Sequence, residues 1–242
     1  MTLEISAVLG VLFLASAVRS ALGFGEALIS VPLLALVLPV RVAAPVAVLA
    51  SITIALIAVV QDWRHIHMRS AASLVLSTLA GIPLGLWLLK SVPEPAVKAI
   101  LGVVIISFST YSLVGRLRAE LTNDRYAWLF GFAAGILGGA YGMNGPPLAM
   151  YGGLRGWPPK QFRATLQAYF LPASVIGMCG YGLGGLWTSQ VSYLFAGSLP
   201  LVVAATFLGR KINHRLDPDR FQLVVHVGLI AIGLVLLAQA WG

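Results

Sequence analysis

The sequence predicts an all-α integral membrane protein of about ten segments, eight long helices and two short half-helices, arranged as two inverted five-segment repeats. Three observations lead there. Hydrophobic residues make up 59% of the 242 positions and charged residues only 10%, whereas an ordinary soluble domain is about half apolar and about a quarter charged. The mean hydropathy is +0.91. The few charges sit between apolar runs, many of which approach the roughly 20 residues a helix needs to cross hydrocarbon. Finally, the chain resembles itself across its midpoint.

The runs follow in order. The first, 4–22, is preceded by Met1-Thr2-Leu3-Glu4, with no lysine or arginine. It therefore lacks the charged start of a secretory signal and reads as a retained span. A shorter run, 27–38, follows a glycine-rich break, and spans at 42–61, 71–89 and 96–115 come next. After a basic loop the pattern repeats: a span at 127–141, a short run at 146–154 behind a second glycine-rich break, and spans at 163–184, 190–209 and 221–241. At the helical rise each short run reaches only roughly 14–18 Å, about half of the hydrocarbon layer.

Loop charge decides whether the short runs cross or turn back. Twelve of the sixteen basic residues fall in four loops, near 62–70, 116–126, 155–163 and 210–220. If both short runs cross and both termini lie outside, all four loops are cytoplasmic, and Arg41, Lys90 and Lys98 remain outside. That satisfies the positive-inside rule. If the short runs return, two of the four loops lie on the wrong side. The expected location is therefore the cell (inner) membrane, multi-pass, with lipid as the surrounding partner.

The self-resemblance pairs Leu22-Gly23-Phe24-Gly25-Glu26 with Tyr141-Gly142-Met143-Asn144-Gly145, and Val92-Pro93-Glu94-Pro95 with Leu216-Asp217-Pro218-Asp219, at offsets of 119 and 124 residues. One transmembrane domain, 1–242, then holds repeats at 4–117 and 127–242. An odd number of segments per repeat turns the second upside down. Pro83 and Pro200 occupy matched spans and are expected to kink them.

Several chemistries are excluded. The net charge of +8 forms no basic face with interleaved aromatics, so nucleic acid is not a partner. The single cysteine, Cys179, permits neither a disulfide framework nor a CxxC site within one chain. His65 and His67 lack a third ligand nearby, so no metal is expected. Gly23-Phe24-Gly25 follows a span instead of a strand and lacks the third glycine of a dinucleotide site. Trp63, Trp157, Trp187 and Trp241 fall at span ends, as interfacial aromatics do. No nucleophile with a base and no paired carboxylates at enzyme spacing appear, so the chain is read as a non-enzyme without cofactors.

The two breaks carry the functional expectation. A helix interruption inside hydrocarbon persists where it lines a cavity, and each break opens a short helix whose free N–H groups carry partial positive charge. Two such ends facing each other suit an anion; glycines that merely let helices pack closely are the competing reading. Gly23, Gly25 and Glu26 form the first break, Asn144 and Gly145 the second. Pro146 and Pro147 have no N–H, and the Asn144 side chain either caps the helix or contacts substrate. Arg19 and Glu26 are the charged side chains inside the apolar zone of the first half, a costly placement that points to function. They form a structural ion pair, or Glu26 carries a coupling proton while Arg19 attracts an anion. Arg163, Gln167 and Phe170 share a face of the eighth segment, which makes Arg163 and Gln167 cavity-lining candidates, though Arg163 serves equally as a topology residue.

Gly23-Phe24-Gly25 with Pro32-Leu33-Leu34, and Gly135-Ile136-Leu137-Gly138-Gly139 with Gly142-Met143-Asn144-Gly145-Pro146-Pro147-Leu148, resemble the duplicated signatures of the sulfite exporter TauE/SafE family. The resemblance spans almost the whole chain, including Phe162-Arg163-Ala164-Thr165. It implies a secondary permease for sulfite, sulfonates or related sulfur anions, driven by the proton gradient. Glu26 and Ala27 stand where further glycines are common, so an acid opposes a bare anion there unless it is protonated or paired with Arg19. The resulting expectation is a small-anion transporter working by alternating access, with protons as a candidate coupling ion. An anion channel and a membrane sulfur-relay protein or enzyme are the alternatives.

Overall fold

A computed structural model describes residues 2–22, 25–62, 68–114, 121, 124–212 and 218–241. Ten α-helices account for nearly all of them, and no strand occurs among the described residues. They are α1 (Thr2–Leu22), α2 (Glu26–Ala35), α3 (Val40–Asp62), α4 (Met68–Ser91), α5 (Glu94–Val114), α6 (Ala127–Tyr141), α7 (Gly145–Leu154), α8 (Pro159–Leu183), α9 (Ser189–Ile212) and α10 (Pro218–Trp241), with one 3₁₀ turn, Asp124–Tyr126, leading into α6. Five of them, α3, α4, α5, α9 and α10, are long and apolar enough to cross a membrane on composition alone.

The outer surface is apolar and the interior carries the polar groups. Val60, Leu76, Val114, Leu183 and Trp241 are exposed, whereas Arg19, Glu26, Asn144 and Gln167 are buried. That arrangement suits lipid outside, where hydrocarbon satisfies side chains but no backbone donor.

Lipid offers helices little hydrophobic drive to associate, so close backbone packing takes its place. The pairs that form are not those of nearest sequence. Helix α4 lies along α6, α1 along α9, α5 along α10, and α3 against α8. Gly81 and Gly85 of α4 meet Gly135 and Gly139 of α6 so closely that an added Cβ would sit 2.9 Å from the facing Cα. Gly209 of α9 rests on the backbone of Ala17 in the same way, and Gly102 of α5 on Gly233 of α10.

The two short helices are started by glycines and tied at their far ends. Gly25 adopts φ +98 immediately before α2, a left-handed conformation that glycine takes without strain. Helix α6 closes on Gly142 at φ +67. The Gly142 N–H bonds Gly138 O at 2.8 Å and the Met143 N–H bonds Leu137 O at 3.1 Å, two nested bonds that satisfy carbonyls left open at the helix end. Beyond α2, the Val40 N–H donates to Glu94 Oε1 at 2.8 Å, and Arg41 donates to Leu89 O at 3.1 Å and Lys90 O at 2.9 Å. At the end of α7, Tyr151 donates to Asp124 Oδ1 at 2.6 Å and Arg155 donates to Leu121 O at 2.7 Å.

Candidate functional site

The starts of α2 and α7 line one small cavity together with α1, α3 and α8. Arg19, Gly25, Glu26, Ser51, Asn144, Gly145 and Phe170 contribute to its wall. Its free volume is about 20 Å³, enough for roughly one water molecule. Ser51 lies near the middle of the 23-residue α3, so the cavity sits at mid-depth of a spanning helix.

Arg19, in the last turn of α1, is the centre of the polar cluster. Its Nη1 donates to Ser51 Oγ at 2.5 Å and its Nη2 to Gln167 Oε1 at 2.8 Å. Nη1 also lies 3.5 Å from Glu26 Oε2. The guanidinium carbon stands 4.8 Å from the centroid of Phe170, a cation–π placement that a planar, weakly hydrated arginine suits better than lysine. Glu26 accepts from Ser30 at 3.1 Å through its other oxygen. Neither Arg19 Nε nor Glu26 Oε2 has a hydrogen-bond partner, although both side chains are at most 2% exposed. Buried polar atoms without partners are uncommon and call for an explanation.

The second break is neutral and differently built. Asn144 makes no cap bond to α7. Its amide instead donates to Tyr169 OH at 3.3 Å. Tyr169 OH lies 2.6 Å from Thr78 Oγ1, which is also within 2.9 Å of Gly131 O. With Thr78 donating to the carbonyl, Tyr169 donates to Thr78 and accepts from Asn144. One directed chain thus fixes the amide. Gly138 leaves room for it, since an added Cβ there would lie 2.7 Å from Asn144 Nδ2.

Of the residues singled out in the sequence, Arg19, Gly25, Glu26, Asn144 and Gly145 come together on one wall, and Gln167 touches it through Arg19. Gly23, His65 and His67 lie outside the described residues. Arg163 belongs to α8, but its side chain lies outside the described residues as well. Ser51 and Ser30 were not anticipated: a lone serine in an apolar helix most often bonds its own backbone, and only Ser30, four residues after Glu26 on the same helix, carried a readable signal in its spacing. Cys179 is exposed and does not line the cavity. No group of three metal-ligating side chains occurs among the described residues.

The sequence model of the family described as sulfite exporter TauE/SafE matches residues 8–236 of this chain. A relative from Cupriavidus necator, named "Probable sulfite/organosulfonate exporter TauE", is 26% identical over 206 residues, covering 84% of this chain and 80% of that protein. No solved structure matches the chain.

Proposed function

The chain belongs to the sulfite exporter TauE/SafE family, and from that premise we propose that it is a secondary transporter exporting a small sulfur-containing anion, sulfite or an organosulfonate. The observation that carries the reading is the convergence of Arg19 and the N-terminal ends of two broken helices on one cavity at mid-depth. Arg19 supplies full positive charge, the first turns of α2 and α7 supply backbone donors, and Asn144 and Gln167 supply neutral polar groups. The cavity has room for roughly one water molecule, which supports a carrier that must open for its substrate over a standing pore.

The relation between the halves supports alternating access. The packing of α4 on α6 and of α9 on α1 is the same relation read from either half, while α5 with α10 and α3 with α8 pair equivalent helices. This pattern supports inverted repeats at 4–117 and 127–242 in a single domain, rocking against each other around the site. With both termini outside, as loop charge favours, the ties at Arg41 and Glu94 close the outer face and those at Tyr151 and Arg155 the inner one. Opening one set while the other holds exposes the site to one side at a time. Gly23 and Arg163 are kept as substrate-binding candidates on sequence position alone.

Efflux of labelled sulfite or a labelled sulfonate from proteoliposomes tests the assignment. Asn144→Ala and Gly145→Leu should lower the initial rate severalfold while the protein stays folded; unchanged rates in both would sink it. A sulfur-relay reading would instead require Cys179, and Cys179→Ala should transport normally.

A further inference from the structure

Glu26 places a carboxylate where an incoming anion would be repelled, and its geometry accounts for its presence there. The acid sits at the start of α2, against the same guanidinium that would receive a substrate anion. We propose that the Glu26 carboxylate is a tethered stand-in for the transported anion, occupying its place on Arg19, so that substrate enters only as the carboxylate leaves. The inference rests on the transporter reading above and deepens it.

Three features fit a displaceable acid better than a structural ion pair. The Arg19–Glu26 contact is 3.5 Å, longer than the roughly 2.7–2.9 Å of a well-made charge-assisted bond. Glu26 Oε2 and Arg19 Nε both lack a hydrogen-bond partner, so each retains capacity that an exchange would use. The firm bonds of Arg19 go elsewhere, to Ser51 and Gln167, which hold the cation in place when the acid departs. Beside it, an added Cβ at Gly25 would have nothing within 4 Å, so the wall next to Glu26 is not tightly filled.

Displacement is simplest when the carboxylate takes up one proton, forming one O–H bond and losing its charge. The anion then replaces it on Arg19 with the local charge unchanged, which ties one proton to one anion. Among the described residues of the elements packed on α2, Arg19 is the charged side chain that reaches Glu26. Glu94 and Lys98 of α5 are engaged with Val40 N and Gln239, and His226 of α10 lies beside Ser109.

The test is equilibrium binding of ethanesulfonate, which stays anionic throughout, to purified protein between about pH 5 and pH 8, where a single linked proton changes affinity by at most about tenfold per unit. Wild type should bind more tightly as pH falls. Glu26→Gln should bind at least severalfold more tightly than wild type at neutral pH, with a flat profile, and Glu26→Gly should do the same if the glutamine variant is unstable. A flat wild-type profile, or a Glu26→Gln variant that binds equally or more weakly, would overturn the stand-in while leaving the site standing. Absence of both sulfonate and sulfite binding in wild type would remove the transporter reading itself.

Discussion

The first break is charged and roomy, whereas the second is neutral and crowded, although both begin a ten-residue helix at matched points of the chain. Gly25 has open space where a side chain would go, while a Cβ on Gly142 would lie 2.7 Å from Val48 Cγ2 and one on Gly138 would lie 2.7 Å from the Asn144 amide. The second helix starts with Pro146 and Pro147, which fix the backbone but remove two donors. The first starts with Glu26, which brings a charge and keeps its donors. The two breaks thus differ in what they bring to one site: the first brings the charged pair, the second a neutral and tightly packed wall.

The comparison breaks most sharply at Arg19. Arg19→Met leaves Glu26 buried without its cation and should destabilise the protein by about 3–5 kcal/mol, read as a lowered melting temperature in detergent. Adding Glu26→Gln should recover most of that stability and none of the transport. A single variant as stable as wild type would show that the buried pair adds no net stability.

Next come two glycine substitutions that should differ if the breaks do. Gly142→Ala meets both the positive φ, at about 1–2 kcal/mol, and the Val48 side chain, at about 1–3 kcal/mol more as overpacking in a filled core. Gly25→Ala meets the positive φ alone, with a cost of about 1–2 kcal/mol and a larger effect on transport rate than on melting. Equal melting shifts would erase the distinction between a crowded and an open break.

The smallest effect belongs to Asn144→Ala, which removes one 3.3 Å bond to Tyr169 and should lower stability by about 1 kcal/mol. Its larger consequence should be a slower efflux rate, because the amide faces the cavity.

Much of the fold was legible in the sequence, because the rise of a helix and the thickness of hydrocarbon constrain it. The run at 127–141 coincides with α6, and the run at 146–154 differs from α7 by one residue. The end of α2 was harder: the apolar run continues to 38, but the helix stops at Ala35 and bonds such as Leu38 N to Leu34 O turn the chain toward Pro39. Helix partners were not legible, since α4 could have packed on α3 or α5 as readily as on α6 by sequence distance. Within the site, Arg19 and Glu26 stood out because charge inside hydrocarbon is expensive. The Gln167 contact, 148 residues from Arg19, and the Ser51 contact, 32 residues from it, depend on packing that no local pattern records.

The central claim, that the anion binds where the two breaks meet, is tested most directly by locating a bound ligand. A crystal of the protein grown with 2-bromoethanesulfonate would reveal the bromine by anomalous scattering. The account predicts a peak beside Arg19 between the first turns of α2 and α7, with the Glu26 carboxylate moved off the guanidinium. A peak elsewhere in a transport-competent protein, with Arg19 still paired to Glu26, would contradict it.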